Sequence, residues 1–147
     1  MKGNMKYFLA FLVALVWGSS LVAADLEFEV QGTRNNKGTL NFYLYHEKDA
    51  ASFLKDGFQG FVCKVYSPIQ GGRATAACTN VPPGTYALSF FHDENSNTNF
   101  DLNWAGLPAE GYGFSNNFKP KLRAPKFNEV SFTVGSEPIR MSLECLY

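Results

Sequence analysis

Apolar and polar residues alternate along several short stretches of this chain. Residues 26–30 place an apolar side chain at every second position, which is the period of a strand with one buried face. Turns rich in Gly, Pro and Asn separate this stretch from others that alternate or are rich in β-branched and aromatic residues. These further stretches are 39–45, 60–67, 73–79, 85–91, 128–134 and 139–146.

Seven short strands of this kind predict an all-β fold. Only residues 49–55 have a helical pattern, and they would form about two turns at most. Short strands at regular spacing favour two facing sheets over a parallel sheet covered by helices. We therefore expect an immunoglobulin-like or transthyretin-like β-sandwich of about seven antiparallel strands, with one long ordered loop.

The first 24 residues have the three parts of a secretory signal. Lys2 and Lys6 precede an apolar run at 7–17, and small residues lead up to Ala24. The apolar run is shorter than the roughly 20 residues that a transmembrane helix needs. We expect cleavage after Ala24, a single mature domain at 25–147 that has no membrane span, and a periplasmic or secreted location.

The charge of the chain argues against nucleic acid as a partner. The sequence holds 13 basic and 13 acidic side chains, and without Lys2 and Lys6 the net charge becomes −2. No basic stripe with interleaved aromatic residues is present, and prolines interrupt the longest basic cluster, at 119–126.

Three cysteines lie in the predicted mature chain. Cys63 and Cys78 fall on neighbouring predicted strands, so they are the favoured disulfide pair, and Cys145 is left over. Three buried free thiols are the alternative. A zinc site is not expected, because the chain has no C-x-x-C motif and no histidine near the cysteines.

Residues 92–117 break the strand pattern. A connection of this length without periodicity is typically functional or disordered. We expect order, because six apolar side chains would pack the loop onto the sandwich. They are Phe100, Leu102, Trp104, Leu107, Tyr112 and Phe114.

This loop has the oxygen spacing of a calcium site. Side-chain oxygens recur at the first, third, fifth and ninth positions, and a backbone carbonyl would occupy the seventh, as in the first part of an EF-hand loop without its helices. The residues are Asp93, Asn95, Asn97, Asp101 and, through its carbonyl, Asn99. The alternative is a polar turn in which the asparagines bond their own backbone.

Two positions depart from an EF-hand. Thr98 stands where a glycine makes the sharp turn, so Asn97 or Asn99 would take the left-handed conformation instead. Trp104 stands where a bidentate glutamate closes the site. The missing carboxylate would then come from Glu110, or from Glu94 turned inward. We expect a weak site, with a dissociation constant of roughly 10⁻⁴ to 10⁻³ M.

The same segment contains His92-Asp93-Glu94-Asn95, Asp101-Leu102-Asn103 and the run from Gly106 to Asn117, which reads GLPAEGYGFSNN. In these residues it resembles a bacterial exported family, domain of unknown function 2141. It implies an extracytoplasmic β-sandwich and no established activity. Members of that family usually have a glycine at the position of Thr98.

Three functional hypotheses follow, and none needs a cofactor other than calcium. The first is a non-catalytic, monomeric interaction module with a calcium-stabilised loop at 93–110 and a protein or glycan ligand. The second is a carbohydrate- or peptide-recognition domain, with His92, Trp104 and Tyr112 as candidate ligand contacts. The third and least favoured is a small hydrolase using His92 or the loop carboxylates. We expect that the protein is not an enzyme.

Overall fold

The computed structural model describes residues 22–55 and 58–147. Nearly all of the predicted signal segment, 1–24, lies outside the described residues. The described part of the chain forms eight strands, one short α-helix and two 3₁₀ turns. The strands are β1 (Ala24–Gln31), β2 (Thr39–His46), β3 (Phe61–Pro68), β4 (Arg73–Val81), β5 (Gly84–Asp93), β6 (Tyr112–Phe114), β7 (Phe132–Val134) and β8 (Ile139–Glu144), with helix α1 at Phe127–Val130 and 3₁₀ turns at Glu47–Ser52 and Ser115–Asn117.

The strands form two sheets, which confirms the predicted all-β sandwich. The three-stranded sheet has the order β4-β1-β8, and the five-stranded sheet has the order β3-β2-β5-β6 with β7 also paired to β5. One pairing differs from the expected antiparallel arrangement, because β1 and β8 run parallel. A parallel pair needs a long crossover, and most of the chain lies between these two strands.

Two predicted elements are wrong in detail. Residues 128–134 form helix α1 followed by β7, because the Glu129 carboxylate accepts the Lys126 backbone N–H at 2.7 Å and starts a helical turn. The helix expected at 49–55 is a 3₁₀ turn that begins at Glu47, where the His46 side chain accepts the Lys48 N–H.

Strand β6 lies inside the segment that the sequence presents as a loop. It has only three residues, and its central Gly113 faces Phe90 so closely that any β-carbon would overlap the phenyl ring. A glycine at the central position hides the alternation of a short strand, so the sequence pattern carries no signal for this element.

The five-stranded sheet is buried on both faces. Its inner face packs against the three-stranded sheet through a core that includes Phe28, Leu40, Leu88 and Phe90. Its outer face, which is turned away from the three-stranded sheet, carries a second aromatic cluster. That cluster contains Tyr43, Tyr45, Phe53, Ala87, Phe91, Phe114 and Val130. The long connections therefore cover this outer face as a third layer.

A disulfide joins the two sheets. It links Cys63 of β3 to Cys78 of β4, which are edge strands of different sheets, and it is the pair favoured from the sequence. Cys145 is free and half-buried. Among the described residues, none of the helices has the length and apolar character needed to cross a membrane.

Candidate functional site

The connection between β5 and β6 folds back on itself at one end of the five-stranded sheet. Its two ends are held together by the His92 N–H, which donates to the Gly111 carbonyl at 2.7 Å. Further along, the Ala109 N–H donates to the Asp101 carbonyl at 2.9 Å. The predicted ordered loop therefore has a hydrogen-bonded base, and its polar residues lie directly beyond the end of β5.

Asp93 organises the first turn of this loop. It is the last residue of β5, and only 1% of its surface is exposed. One carboxylate oxygen accepts the Asn97 N–H at 3.0 Å, and the other accepts the Thr98 N–H at 2.9 Å. Asn41 of β2 donates its side-chain amide to the same carboxylate at 3.2 Å. A buried carboxylate is stabilised by such donors.

The sharp turn occurs at Thr98 itself, so the expectation that Asn97 or Asn99 would take the left-handed conformation is wrong. Thr98 has φ +63° and Ser96 has φ +59°. This conformation is costly for a β-branched residue. The hydrogen bond from the Thr98 N–H to the buried Asp93 carboxylate offsets that cost. This contact cannot be inferred from the residue type alone.

Three of the predicted ligand side chains converge on one point. The Asp101 carboxylate accepts the side-chain amide of Asn95 at 2.6 Å and that of Asn97 at 3.0 and 3.2 Å. The carbonyl oxygens of the same two amides accept backbone N–H groups, those of Asn97 and Asn99, as in Asx-turns. The Asn99 side chain bonds the Asn97 carbonyl. The asparagines thus form Asx-turns, and the oxygen-bearing side chains that were proposed as calcium ligands lie in the same turns.

Glu110 joins the two ends of the loop. Its side chain is buried, and its oxygens accept the backbone N–H groups of Glu94 at 3.0 Å and Asp101 at 3.1 Å. Burial raises the pKa of Glu110, and the negative charges of Asp101 and Asp93 add to that effect against the two hydrogen bonds. Both oxygens already have partners, so Glu110 braces the loop from outside the point where Asp101 meets the asparagines.

Glu94 points away from the loop interior, so the alternative in which it turns inward is wrong. It forms an ion pair with Arg34 at 2.6 Å and accepts the Asn35 amide at 2.8 Å. Burial opposes ionisation of Glu94, but these two partners outweigh it and lower its pKa. Arg34 also donates to the Ala109 carbonyl at 3.1 Å, which ties the loop to the turn after β1.

His92 is a buried structural residue with both ring nitrogens occupied. Nε2 lies 2.8 Å from the Lys37 carbonyl oxygen, and a carbonyl only accepts, so Nε2 carries the hydrogen. In the neutral ring, Nδ1 then accepts from the Tyr147 hydroxyl at 2.7 Å. His92 is wholly inaccessible, so it does not present itself to a ligand at the surface.

The apolar residues of the loop divide into two groups. Phe100 and Tyr112 pack edge-on at 5.9 Å, and Tyr112 packs likewise on Phe114, so these three anchor the loop as expected. The expectation is wrong for the other three, which are exposed: Leu102 at 56%, Leu107 at 60% and Trp104 at 99%. They lie on a turn that projects from the sandwich, closed by a bridge between Leu102 and Pro108.

Several residues that hold this end together come from distant parts of the sequence. Asn41, Arg34, Lys37 and Tyr147 each contact the loop or its flanking strand, yet no local pattern marks them. Within residues 22–55 and 58–147, no group of three or more His, Cys, Asp or Glu side chains is placed to share a metal ion. A cation here would therefore need amide and backbone oxygens as well.

The two facing sheets and the braced polar loop define the class of this protein as a β-sandwich domain with one elaborated end. The chain belongs to the bacterial family DUF2141, described as an uncharacterized protein conserved in bacteria, whose model matches residues 28–142. This confirms the family resemblance seen in the loop. No curated protein matches the chain.

Proposed function

We propose that this protein is an exported, non-catalytic interaction domain, in which a calcium-stabilised loop at 93–110 presents Trp104 to a protein or glycan ligand. The observation that carries the proposal is the exposure of Trp104, which is 99% at the tip of the turn. A fully exposed tryptophan is rare in a folded domain, and its ring is suited to stacking on a sugar or an apolar peptide side chain.

Hydrogen bonds within the turn that carries Trp104 constrain its backbone. Asn103 takes part in four of these hydrogen bonds: its side chain accepts from Ala105 and Leu107, its carbonyl accepts from Gly106, and its N–H donates to Leu107. A turn constrained in this way loses little conformational entropy when a partner binds. Leu102 and Leu107 extend the exposed apolar surface next to the indole.

The charge of the loop supports calcium. Asp93 accepts the Thr98 N–H and Glu110 accepts the Asp101 N–H. None of the carboxylates of Asp93, Asp101 and Glu110 takes part in an ion pair among the described residues. A divalent cation would offset this uncompensated negative charge. Rotation of the Asn95 and Asn97 amides would turn two more oxygens toward Asp101, and calcium takes 6–8 oxygen ligands.

The disulfide and the N-terminal pattern support export. A bond between Cys63 and Cys78 is stable in an oxidising compartment and rare in the cytosol. The arrangement of Lys2, Lys6 and the apolar run at 7–17 is that of a secretory signal. Both features agree with a periplasmic or secreted location.

The non-catalytic part of the proposal rests on the surroundings of His92. Its two nitrogens bond Lys37 and Tyr147, and it is inaccessible. The Ser115 hydroxyl is buried between the backbone carbonyls of Leu88 in β5 and Val130 in α1. Within the described residues, neither His92 nor Ser115 therefore forms an exposed pair of nucleophile and base.

Calcium is tested by thermal unfolding of the purified protein in EDTA and in about 10 mM calcium. For a dissociation constant of 10⁻⁴ to 10⁻³ M, this concentration stabilises the fold by about 1.4 to 2.7 kcal/mol and raises Tm by several degrees. Asp101→Asn should abolish the rise, whereas the control Asp49→Asn, outside the loop, should keep it. An unchanged Tm in unmodified protein would reject the calcium site.

The ligand role of Trp104 is tested separately, by affinity electrophoresis in soluble polysaccharides and by binding to arrayed peptides. Trp104→Ala should abolish any retention or peptide signal. Leu122→Ala is the matched control, because Leu122 is also 99% exposed but lies away from the turn. Equal binding by both variants would reject the Trp104 interface and leave the calcium result standing by itself.

A further inference from the structure

Every residue of the turn at 102–108 is exposed to solvent, and none of the seven is charged. In the sequence, Trp104 stands between Leu102 and Leu107, which are 56% and 60% exposed. Large apolar side chains that remain exposed together on one projecting turn are typical of a surface that contacts another molecule. The polar groups and charges around this turn distinguish among a glycan, a lipid surface and a protein as that molecule.

The hydrogen-bonding groups of the turn disfavour a glycan. Asn103 holds the only side-chain acceptor within 102–108, and its Oδ1 already accepts the N–H groups of Ala105 at 2.9 Å and Leu107 at 3.1 Å. The indole N–H of Trp104 is only a donor. A sugar that stacks on the indole would bury hydroxyl groups, and a buried hydroxyl that lacks a partner costs free energy. The turn uses the Asn103 oxygen to maintain its own shape, so it is poorly equipped to bind a glycan.

The charges of the loop disfavour an anionic lipid surface. No Lys or Arg occurs within residues 93–118, whereas apolar segments that lie on membranes are typically accompanied by basic residues. Arg34 reaches the loop from the turn after β1, but it forms an ion pair with Glu94. Asp101 comes directly before the turn and is only half-buried. The surroundings of the turn would therefore repel anionic lipids and acidic peptides alike.

A protein ligand fits both observations. Tryptophan is enriched among the few residues that supply most of the binding energy of protein interfaces, where it fills apolar sites from which water is excluded. We propose that the ligand of the turn at 102–108 is a protein segment with apolar side chains and few acidic ones, which packs on Trp104, Leu102 and Leu107. This assignment rests on the proposed function, in which Trp104 is the contact residue, and it selects protein over glycan.

The class of ligand is tested with three probes: arrayed short peptides of random sequence, soluble polysaccharides, and vesicles of phosphatidylglycerol and phosphatidylcholine. The bound peptides should be rich in aromatic and aliphatic residues and poor in Asp and Glu, and Trp104→Ala should abolish their binding. Polysaccharides and vesicles should show no binding. Polysaccharide binding that Trp104→Ala abolishes would overturn the protein assignment but leave the proposed function standing. Peptide binding that survives Trp104→Ala, or no peptide binding at all, would overturn the protein assignment.

A pair of truncations tests whether the contact is apolar. Leu107→Ala removes apolar surface and keeps the backbone groups that close the turn, so it should weaken the strongest peptide about tenfold. Val62→Ala is the matched control, because Val62 is 52% exposed on β3 and lies outside the turn, and it should leave the affinity unchanged. Calorimetry of the same peptide should give a negative heat-capacity change, which marks burial of apolar surface. An affinity that does not respond to Leu107→Ala, or a heat-capacity change of zero, would overturn the proposal.

Discussion

The Glu110 carboxylate lies 3.1 Å from the backbone nitrogen of Asp101 and accepts its N–H. Its other oxygen accepts the Glu94 N–H at 3.0 Å. One buried side chain thus supplies the acceptors for two backbone groups on opposite sides of the loop. Without it these groups would lack a partner, so the shape of the loop depends on a residue that follows its exposed tip.

Glu110→Ala should lower the free energy of unfolding by about 3 kcal/mol, because it leaves two backbone N–H groups without an acceptor. Glu110→Gln keeps one acceptor and replaces the carboxyl group, whose pKa is already raised by burial. It should therefore lower the free energy of unfolding by about half as much as Glu110→Ala. Urea denaturation measures both. Glu137→Ala, at an exposed position, is the control and should change stability by less than about 0.5 kcal/mol. Unaltered hydrogen exchange at Glu94 and Asp101 in the alanine variant would contradict this prediction.

Gly38 permits the turn before β2 to approach the start of the loop. It has φ +63°, and a β-carbon on it would overlap the carbonyl oxygen of Asp93. Gly38→Ala should therefore cost the left-handed penalty of about 1–2 kcal/mol plus the cost of displacing the loop. Gly71→Ala is the matched control, because Gly71 has φ +58° and open space around it. Equal losses in the free energy of unfolding of the two variants would show that the close approach of Gly38 to Asp93 does not affect stability.

The Cys63–Cys78 disulfide closes one side of the sandwich across a sequence separation of 15 residues. A loop of that length stabilises the fold by about 3 kcal/mol in the chain-entropy account. Reductant should therefore lower Tm of the unmodified protein and of Cys145→Ala, but leave the Cys63→Ala, Cys78→Ala double variant unchanged. A Tm that does not respond to reductant in the unmodified protein would contradict this.

Glu129 should be the site of an acid-dependent loss of stability. The hydrogen bond from Arg123, reinforced by the Lys126 backbone, lowers the pKa of Glu129 from its ordinary value of 4.5 to about 2. Because the folded-state pKa of Glu129 is depressed, the stabilisation that the ionised Glu129 gives to the folded state is fully present above about pH 4.5. This stabilisation is lost as the pH falls toward 2. Carbon-detected NMR titration should find the Glu129 midpoint near 2.

Arg123→Gln should raise the Glu129 midpoint only part of the way, because the Lys126 N–H still donates to the carboxylate. Arg140→Gln removes a comparable exposed arginine, which pairs with Glu27, and should leave the Glu129 midpoint unchanged. A midpoint near 4.5 in the unmodified protein would show that the Arg123 pair is not formed in solution.

Much of the fold was predictable because strand periodicity is a local property. Apolar side chains are buried at alternate positions in residues 26–30 and continuously over most of residues 85–91. Both patterns can be recognised in the sequence. Helix α1 was not predictable in the same way, since Glu129 has to meet both Arg123 and the Lys126 N–H before that turn is favoured. Strand β6 was missed because Gly113 interrupts the alternation.

The candidate site was predictable only in its spacing. The recurrence of oxygen side chains from Asp93 to Asp101 is visible in the sequence, but the exposure of Trp104 is not, because an aromatic residue amid apolar neighbours is typical of an anchor. The structure separates Trp104 from Phe100 and Tyr112. It also shows that Glu110 accepts backbone N–H groups and that Glu94 forms an ion pair with Arg34.

The sequence by itself determined the two-sheet class, the family, the favoured cysteine pair and the positions of the loop oxygens, because these depend on periodicity, composition and local spacing. Only the tertiary structure decided that Asn41 donates a hydrogen bond to Asp93, that Gly38 lies against the Asp93 carbonyl, and that Glu110 accepts the backbone N–H groups of Glu94 and Asp101. Each of these relationships joins residues whose contact depends on which sheet faces meet, and that is set by packing of the whole chain.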